Sequence, residues 1–528
     1  MSKNHRLDDT SLKMLKDSTT IALVPHPSDD PRDPLNWSMK KKIPIVAALC
    51  LATFANFSSG LAGQLSPGPQ AKLYGVDTTK IAYQNSCSNG GMIAGALVLF
   101  PLSHIFGRSS VILWSTIATC ASQIWAACMT HSTQYVPYLV SRFIAGFFEV
   151  SAGILGPRML FDLFFLHQRG RVFTYFHFAL DFGTVASPTL SAFISTAGHD
   201  PSWTYAFWWT AGLTALAAIM VFFFVYETAW DRFEGADNDS VATPEGFVAS
   251  KIATFFPGTK VTKSASIKQT LEVAARPFLI AASPPMLLLG FFVLFNFGFY
   301  VAMNSIAPVW LQKPVKSLIL MRAVSFGHWV GIIMALVYGH FVSDHLPLLI
   351  CRRTHSTWLP EFRLYPLILP ALIFNSIGLG LFGLALQNHL HWGVLLWAQI
   401  MVTFGSLSTT PITVNYACEI FTQAPAETAI VLNSYRVAFG LSVAFYIAPW
   451  VEKMGFRWAY GLMAFLQVAS FAPVILLMWK GREIRRLKMG MLGSDEEGEV
   501  VMEEKGGVSG SSVEDKHVVD AEKGDAAS

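Results

Sequence analysis

Glu149, Asp181 and Arg436 are ionisable residues embedded in long apolar stretches, a setting in which a charge needs a reason to be there. His177 precedes Asp181 by one helical turn, a spacing at which an imidazole and a carboxylate can share or relay a proton. Arg142 and Glu149 are seven residues apart and therefore near one helical face, where either a functional pair or a structural one can form. Asn296, Tyr300 and Asn304 recur every fourth residue, and Gln399, Thr403 and Ser406 make a similar stripe. Such groups suit proton exchange and hydrogen bonding to a small molecule, and equally suit bonding between packed helices. His328 and His340 read as packed or interfacial, and Glu419 as part of a gate or surface pair.

Other chemistries are excluded. There is no Gly-x-x-x-x-Gly-Lys-Ser/Thr loop to cradle phosphates, and no Ser/His/Asp or His-Glu-x-x-His arrangement. We therefore expect no enzyme, no ATP-driven machine and no cofactor. The six cysteines, Cys50, Cys87, Cys120, Cys128, Cys351 and Cys418, show neither zinc-ligand nor disulfide-framework spacing, so no metal is expected.

The elements that position these residues are read from the apolar stretches. The chain is 52% hydrophobic and 14% charged, with a mean hydropathy of +0.43. Roughly 20 apolar residues cross a bilayer as a helix. Such stretches fall at 43–63, 83–103, 109–129, 134–156, 171–195 and 203–225, then at 278–303, 322–343, 364–386, 391–414, 428–451 and 456–479. The expected fold is an all-α membrane protein of about twelve transmembrane helices in two pseudo-symmetric six-helix bundles. Its parts are an N-terminal segment (1–42), a first bundle (43–226), a polar central loop (227–277), a second bundle (278–479) and a disordered tail (480–528) rich in Gly, Ser, Asp and Glu. At membrane depth an ionised side chain costs about 2.5–3.5 kcal/mol on insertion scales, which makes Glu149, Asp181 and Arg436 functional candidates by default.

Basic residues sort by side. Lys40 to Lys42, Arg108, Arg169, Arg171, the central loop, Arg352, Arg353 and Lys480 to Arg486 share one face, which the positive-inside rule makes cytoplasmic together with both termini. The first forty residues are polar and the first apolar stretch is too long for a signal core, so no cleavable signal peptide is expected. A net charge of +3 sets orientation and does not point to nucleic acid.

Two loops repeat loosely. Pro101-Leu-Ser-His104-Ile-Phe-Gly107-Arg108 follows the second helix, and Gly339-His-Phe-Val-Ser-Asp344 with Arg352-Arg353 follows the eighth. Asp33-Pro34-Leu35-Asn36-Trp37-Ser38 precedes the first basic run, and Asp162-Leu-Phe-Phe-Leu-His-Gln-Arg169-Gly170 follows helix four. Glu227-Thr228 ends helix six, while Asn433-Ser-Tyr-Arg436 and Ala448-Pro449-Trp450 mark helix eleven. In order and spacing these motifs resemble the major facilitator superfamily, specifically its fungal drug and polyamine/proton antiporter-like branch, over residues 30–488. His104 stands where that family's first loop usually has an acid, and Ser109 replaces its second arginine.

The resemblance implies that helices one, four, seven and ten line a central cavity. It gives Asn56, Gln64, Arg142, Asn296, Tyr300, Asn304 and Gln399 as substrate-binding candidates. Glu149, Asp181 and His177 are the proton-coupling candidates, and His104, Gly107, Arg108, Asp344, Arg352 and Arg436 the gating candidates. Gly183-Thr-Val-Ala186-Ser187-Pro188 is a degenerate form of the antiporter pattern in helix five. The implied activity is secondary active transport of a small organic molecule by alternating access, with protons as coupling ion and efflux of a drug, toxin or secondary metabolite as the direction. Proton-symport uptake of a nutrient or polyamine, and a non-transporting membrane sensor, are the alternatives. A monomer in the plasma membrane is expected.

Overall fold

The computed structural model describes residues 30, 32–196, 202–230, 246–256, 267–311, 318–343, 345–354, 359–421 and 424–492, and these contain no strand. The first six long helices are α1 (Met39–Gly60), α2 (Tyr83–Phe106), α3 (Arg108–Ala127), α4 (Tyr135–Leu163), α5 (Leu166–Ile194) and α6 (Tyr205–Phe224). The second six are α7 (Pro284–Leu311), α8 (Leu318–Val342), α9 (Pro360–Gln387), α10 (Trp392–Ile420), α11 (425–454) and α12 (456 onward). The chain is thus an all-helical membrane protein built as two sets of six helices.

Entry into α1 is braced by local bonds. The Asp33 carboxylate accepts the Leu35 N–H at 3.0 Å, and Lys42 Nζ donates to the Leu35 carbonyl at 3.0 Å. The Lys41 ammonium lies 3.6 Å above the Trp37 ring. The last two helices are separated at Gly455, whose φ of 78° suits a residue without Cβ.

Among the described residues, ten helices are long and apolar enough to cross a membrane by length and composition. Helix α5, which carries Asp181, is outside that set, and α11 carries Arg436. Their polarity is met inside the protein, because Arg436 Nη1 donates to Asp181 Oδ1 at 3.0 Å. Large apolar side chains point outward in stripes at helical spacing, as with Leu216, Ile219 and Phe223 on α6 and Val330, Ile333 and Val337 on α8. That inversion of the soluble pattern suits a surface solvated by lipid tails.

The two sets meet along two seams. At one, α2 packs on α11, with Tyr83 and Phe445 stacked at 4.8 Å between ring centroids. At the other, α5 packs on α8, where Phe182 meets Trp329 edge-on at 5.1 Å and Tyr175 Oη lies 3.1 Å from His340 Nδ1. The segment expected as a polar central loop contains two helices, Phe247–Phe255 and Ile267–Ala282. The tail expected to be disordered from 480 begins as helix, through Leu492. The expectations for the N-terminal residues 1–29 and for 493–528 lie outside the described residues.

Candidate functional site

Between the two halves lies a cavity enclosing about 1030 Å³, its open mouth included. Of the substrate-binding candidates, Gln64, Tyr300, Asn304 and Gln399 line it; among the other candidates, Glu149 and Arg436 do so. Gln64 Nε2 approaches the Asn304 carbonyl at 3.4 Å, so the turn after α1 closes toward α7. Gln399 is 2% exposed and its Oε1 has no hydrogen-bond partner, an unmet acceptor in a cavity wall.

Glu149 is fully buried, yet its partners are hydroxyls. Ser88 Oγ donates to Oε1 at 3.1 Å, and Ser59 Oγ, shared with the Asn56 carbonyl, lies 3.3 Å from Oε2. No cation forms an ion pair with it among the described residues. Arg142, the nearby candidate on the same face, is committed elsewhere: its Nη2 donates to the Ser59 and Gly60 carbonyls at 2.8 and 2.6 Å, and its Nη1 to Gln123 Oε1 at 3.3 Å. Arg142 therefore fastens α4 to the end of α1 and does not line the cavity.

Two further candidates face neighbouring helices. Asn56 donates to Thr116 Oγ1 on α3 at 3.3 Å. Asn296 Oδ1 accepts from Ser406 and Thr409 on α10 at 3.1 and 3.2 Å. Both side chains are buried away from the cavity.

The spacing of His177 and Asp181 suggests a shared proton, but each has another partner. His177 Nδ1 bonds the Phe173 carbonyl of its own helix at 2.9 Å, between the rings of Phe173 and Phe176. Asp181 takes Arg436 instead, joining α5 to α11 across 255 residues of sequence. A second cavity of about 460 Å³ lies beyond Arg436, lined by His177, Pro157, Thr413 and Asn433. Arg436 and Phe297 line both cavities.

Of the gating candidates, Arg436 lines the cavity, while His104, Gly107 and Arg108 lie together at the turn between α2 and α3. Gly107 turns the chain between α2 and α3 with a φ of 86°. Directly after it, Arg108 pairs with Asp162 at the end of α4, and Arg158 Nε lies 3.6 Å from the same carboxylate. Glu227 closes the start of α3: its Oε2 accepts the Ser109 N–H at 3.1 Å, while Ser109 Oγ donates to the Tyr226 carbonyl. His104 is exposed, edge-on to Phe100 at 4.9 Å. Asp344 lies outside the described residues, and Arg352 falls in the His345–Thr354 helix.

A counterpart to the Arg108 brace exists in the second half at another place than the repeated loop suggests. Arg363 at the start of α9 pairs with Glu419 at the end of α10, and Glu361 with Arg485 Nε at 2.9 Å. This repeats the geometry of α3 and α4, six helices later. Sequence reading passed over the polar wall of α2 (Asn85, Ser88, Asn89), and it took His328 as packed or interfacial, whereas His328 bonds Thr403 Oγ1 at 2.6 Å and lines the cavity. Asn85, Ser88 and Asn89 are spaced by three and one, a one-face polar stripe that could have revealed α2 as lining.

The sequence profile of the Major Facilitator Superfamily matches residues 45–352, more than half of the chain. An uncharacterized MFS-type transporter of Schizosaccharomyces pombe is 22% identical, over 90% of this chain and 89% of its own length. The efflux pump radE of Floropilus chiversii is 24% identical, over 87% of this chain and 83% of its own. The solved proton:xylose symporter XylE superposes with a TM-score of 0.58 at 14% identity, covering 84% of this chain and 96% of the symporter, a likeness of fold.

Proposed function

The chain belongs to the Major Facilitator Superfamily and is a multi-pass membrane transporter, and we propose that it exports a small amphipathic organic molecule in exchange for protons. The observation that carries this reading is Glu149. A carboxylate fully buried in the wall of the central cavity, bonded to two hydroxyls and in no ion pair among the described residues, is suited to gain and lose a proton as the cavity changes exposure. Protonated, it removes a charge from a dry site, which favours occlusion; ionised, it favours the state in which water reaches it.

The export direction draws on the efflux pump among the relatives, and on the degenerate antiporter pattern of α5. There Gly183 meets the Phe54 carbonyl of α1, and Ser187 Oγ donates to the Ser58 carbonyl, so α5 and α1 run in close contact beside the cavity. We place the protein in the antiporter-like branch and, by its basic face, with both termini in the cytoplasm of a plasma-membrane transporter.

The test is transport of candidate amphipathic compounds into inside-out vesicles under an imposed pH gradient. Export predicts uptake stimulated when the vesicle lumen is acidic, and Glu149→Gln should lower that stimulated rate about tenfold or more while the variant remains folded. Stimulation by the opposite gradient would indicate uptake by symport, and indifference to both gradients would remove the proton from the scheme.

A further inference from the structure

The wall of the central cavity contains a single Arg or Lys among the described residues, and that residue is Arg436. Its side chain is 5% exposed and sits between two aromatic faces, with the guanidinium carbon 4.5 Å from the Phe297 ring centroid and 5.7 Å from that of Phe57. One nitrogen is used in the ion pair, Nη1 to Asp181 Oδ1 at 3.0 Å. Nε is buried without a partner.

A guanidinium normally meets a carboxylate through two parallel N–H donors, and the pair is strongest when both are engaged. Here the Asp181 contact leaves Nε unmet in a dry site, an arrangement that an additional or better-placed oxyanion would improve. Arg436 also lines both cavities. A substrate anchor in an alternating-access transporter has to sit where the two halves meet, and the Asp181 contact puts Arg436 at a joint between them.

Resting on the reading of the central cavity as the substrate site, we propose that Arg436 anchors a carboxylate or comparable monoanionic group of the transported molecule, and that Asp181 holds the guanidinium when the cavity is empty. The apolar body of the ligand lies against Phe57 and Phe297. Its arrival releases Asp181 from the bond that ties α5 to α11, so occupancy loosens a joint between the two halves. Binding energy is thereby linked to the freedom of the halves to rearrange.

The test is equilibrium binding of 2-naphthoate and 2-naphthamide to the purified full-length protein in detergent at one fixed pH. The carboxylate should bind at least about tenfold tighter than the amide. Asp181→Asn removes the competitor and should tighten 2-naphthoate about tenfold while leaving 2-naphthamide unchanged. Arg436→Gln should abolish the preference; should that variant fail to fold, the probe pair on the native protein and on Asp181→Asn decides the matter. Equal binding of the two probes, binding of neither, or a folded Asp181→Asn protein with unchanged or weaker 2-naphthoate affinity would overturn the proposal. Because no pH gradient is involved, loss of gradient-driven transport alongside an intact anion preference would remove the proton-exchange reading and leave this one standing.

Discussion

Arg142 shows how little a residue's type says about its work. It is a charge 1% exposed at membrane depth, next to a cavity, and spaced seven residues from an acid. Its guanidinium nonetheless reaches past Glu149 to two carbonyls at the end of α1, where no further helical N–H is available to satisfy them. Arg142→Ala should therefore lower stability, by about 3 kcal/mol given two lost charge-assisted bonds, while ligand affinity of the folded fraction stays within about twofold. Thermal unfolding in detergent together with ligand titration checks both halves of this expectation. Periodicity made it legible that Arg142, Glu149, His177 and Asp181 share faces of α4 and α5. It could not show that Asp181 meets Arg436, since a contact over 255 positions depends on how two bundles pack and leaves no trace in local spacing.

At the scale of elements, the two braces on the basic face have matching geometry and different sequences. Arg108–Asp162 joins the start of α3 to the end of α4, and Arg363–Glu419 joins the start of α9 to the end of α10. The repeated loops drew attention to Asp344 and Arg352, whereas the Pro360-Glu-Phe-Arg363 segment carries the matching arginine under a different motif. If both braces hold the same closed arrangement, Asp162→Asn and Glu419→Gln should each slow turnover about tenfold with little change in equilibrium ligand affinity. A variant whose affinity falls in step with its rate would mean that the brace only supports the fold.

The Phe247–Phe255 helix makes a second element-level case. Its Lys251 is 1% exposed, donates to the Val225 carbonyl at 2.9 Å and lies 3.7 Å from the Tyr226 ring, which Lys41 approaches at 4.9 Å. Burial, with the Lys41 charge adding to it, pulls the Lys251 ammonium down to about 8. The docked helix thus binds fewer protons than the undocked one between pH 8 and the ordinary lysine value. Docking should strengthen as pH rises through that window and be flat below it. Hydrogen exchange of this helix, corrected for intrinsic rates, should show protection growing above pH 8, and Lys251→Met should remove the trend.

For the whole molecule, composition carried most of the fold, because a bilayer demands long apolar helices and tolerates few exceptions. The exception is instructive: α5 carries Asp181, whose charge is met by Arg436 of α11, so apolarity alone describes that helix least well. Those same helices lie on the two seams that join the halves. On the α5–α8 seam, Tyr175 meets His340 toward the basic face, and Phe193 meets Phe326 at 5.8 Å toward the other. Alternating access by rocking requires that contacts at one end of this seam open while those at the other persist. In a protein whose six native cysteines are replaced, a short bismaleimide joining Tyr175→Cys to His340→Cys should stop net transport, while ligand still binds from the opposite face. Joining Phe193→Cys to Phe326→Cys should stop transport as well, with binding retained from the basic face instead. Transport at the uncrosslinked rate in both crosslinked proteins would mean that the halves do not move apart along α5 and α8, and the cavity would have to fill and empty by bending of single helices.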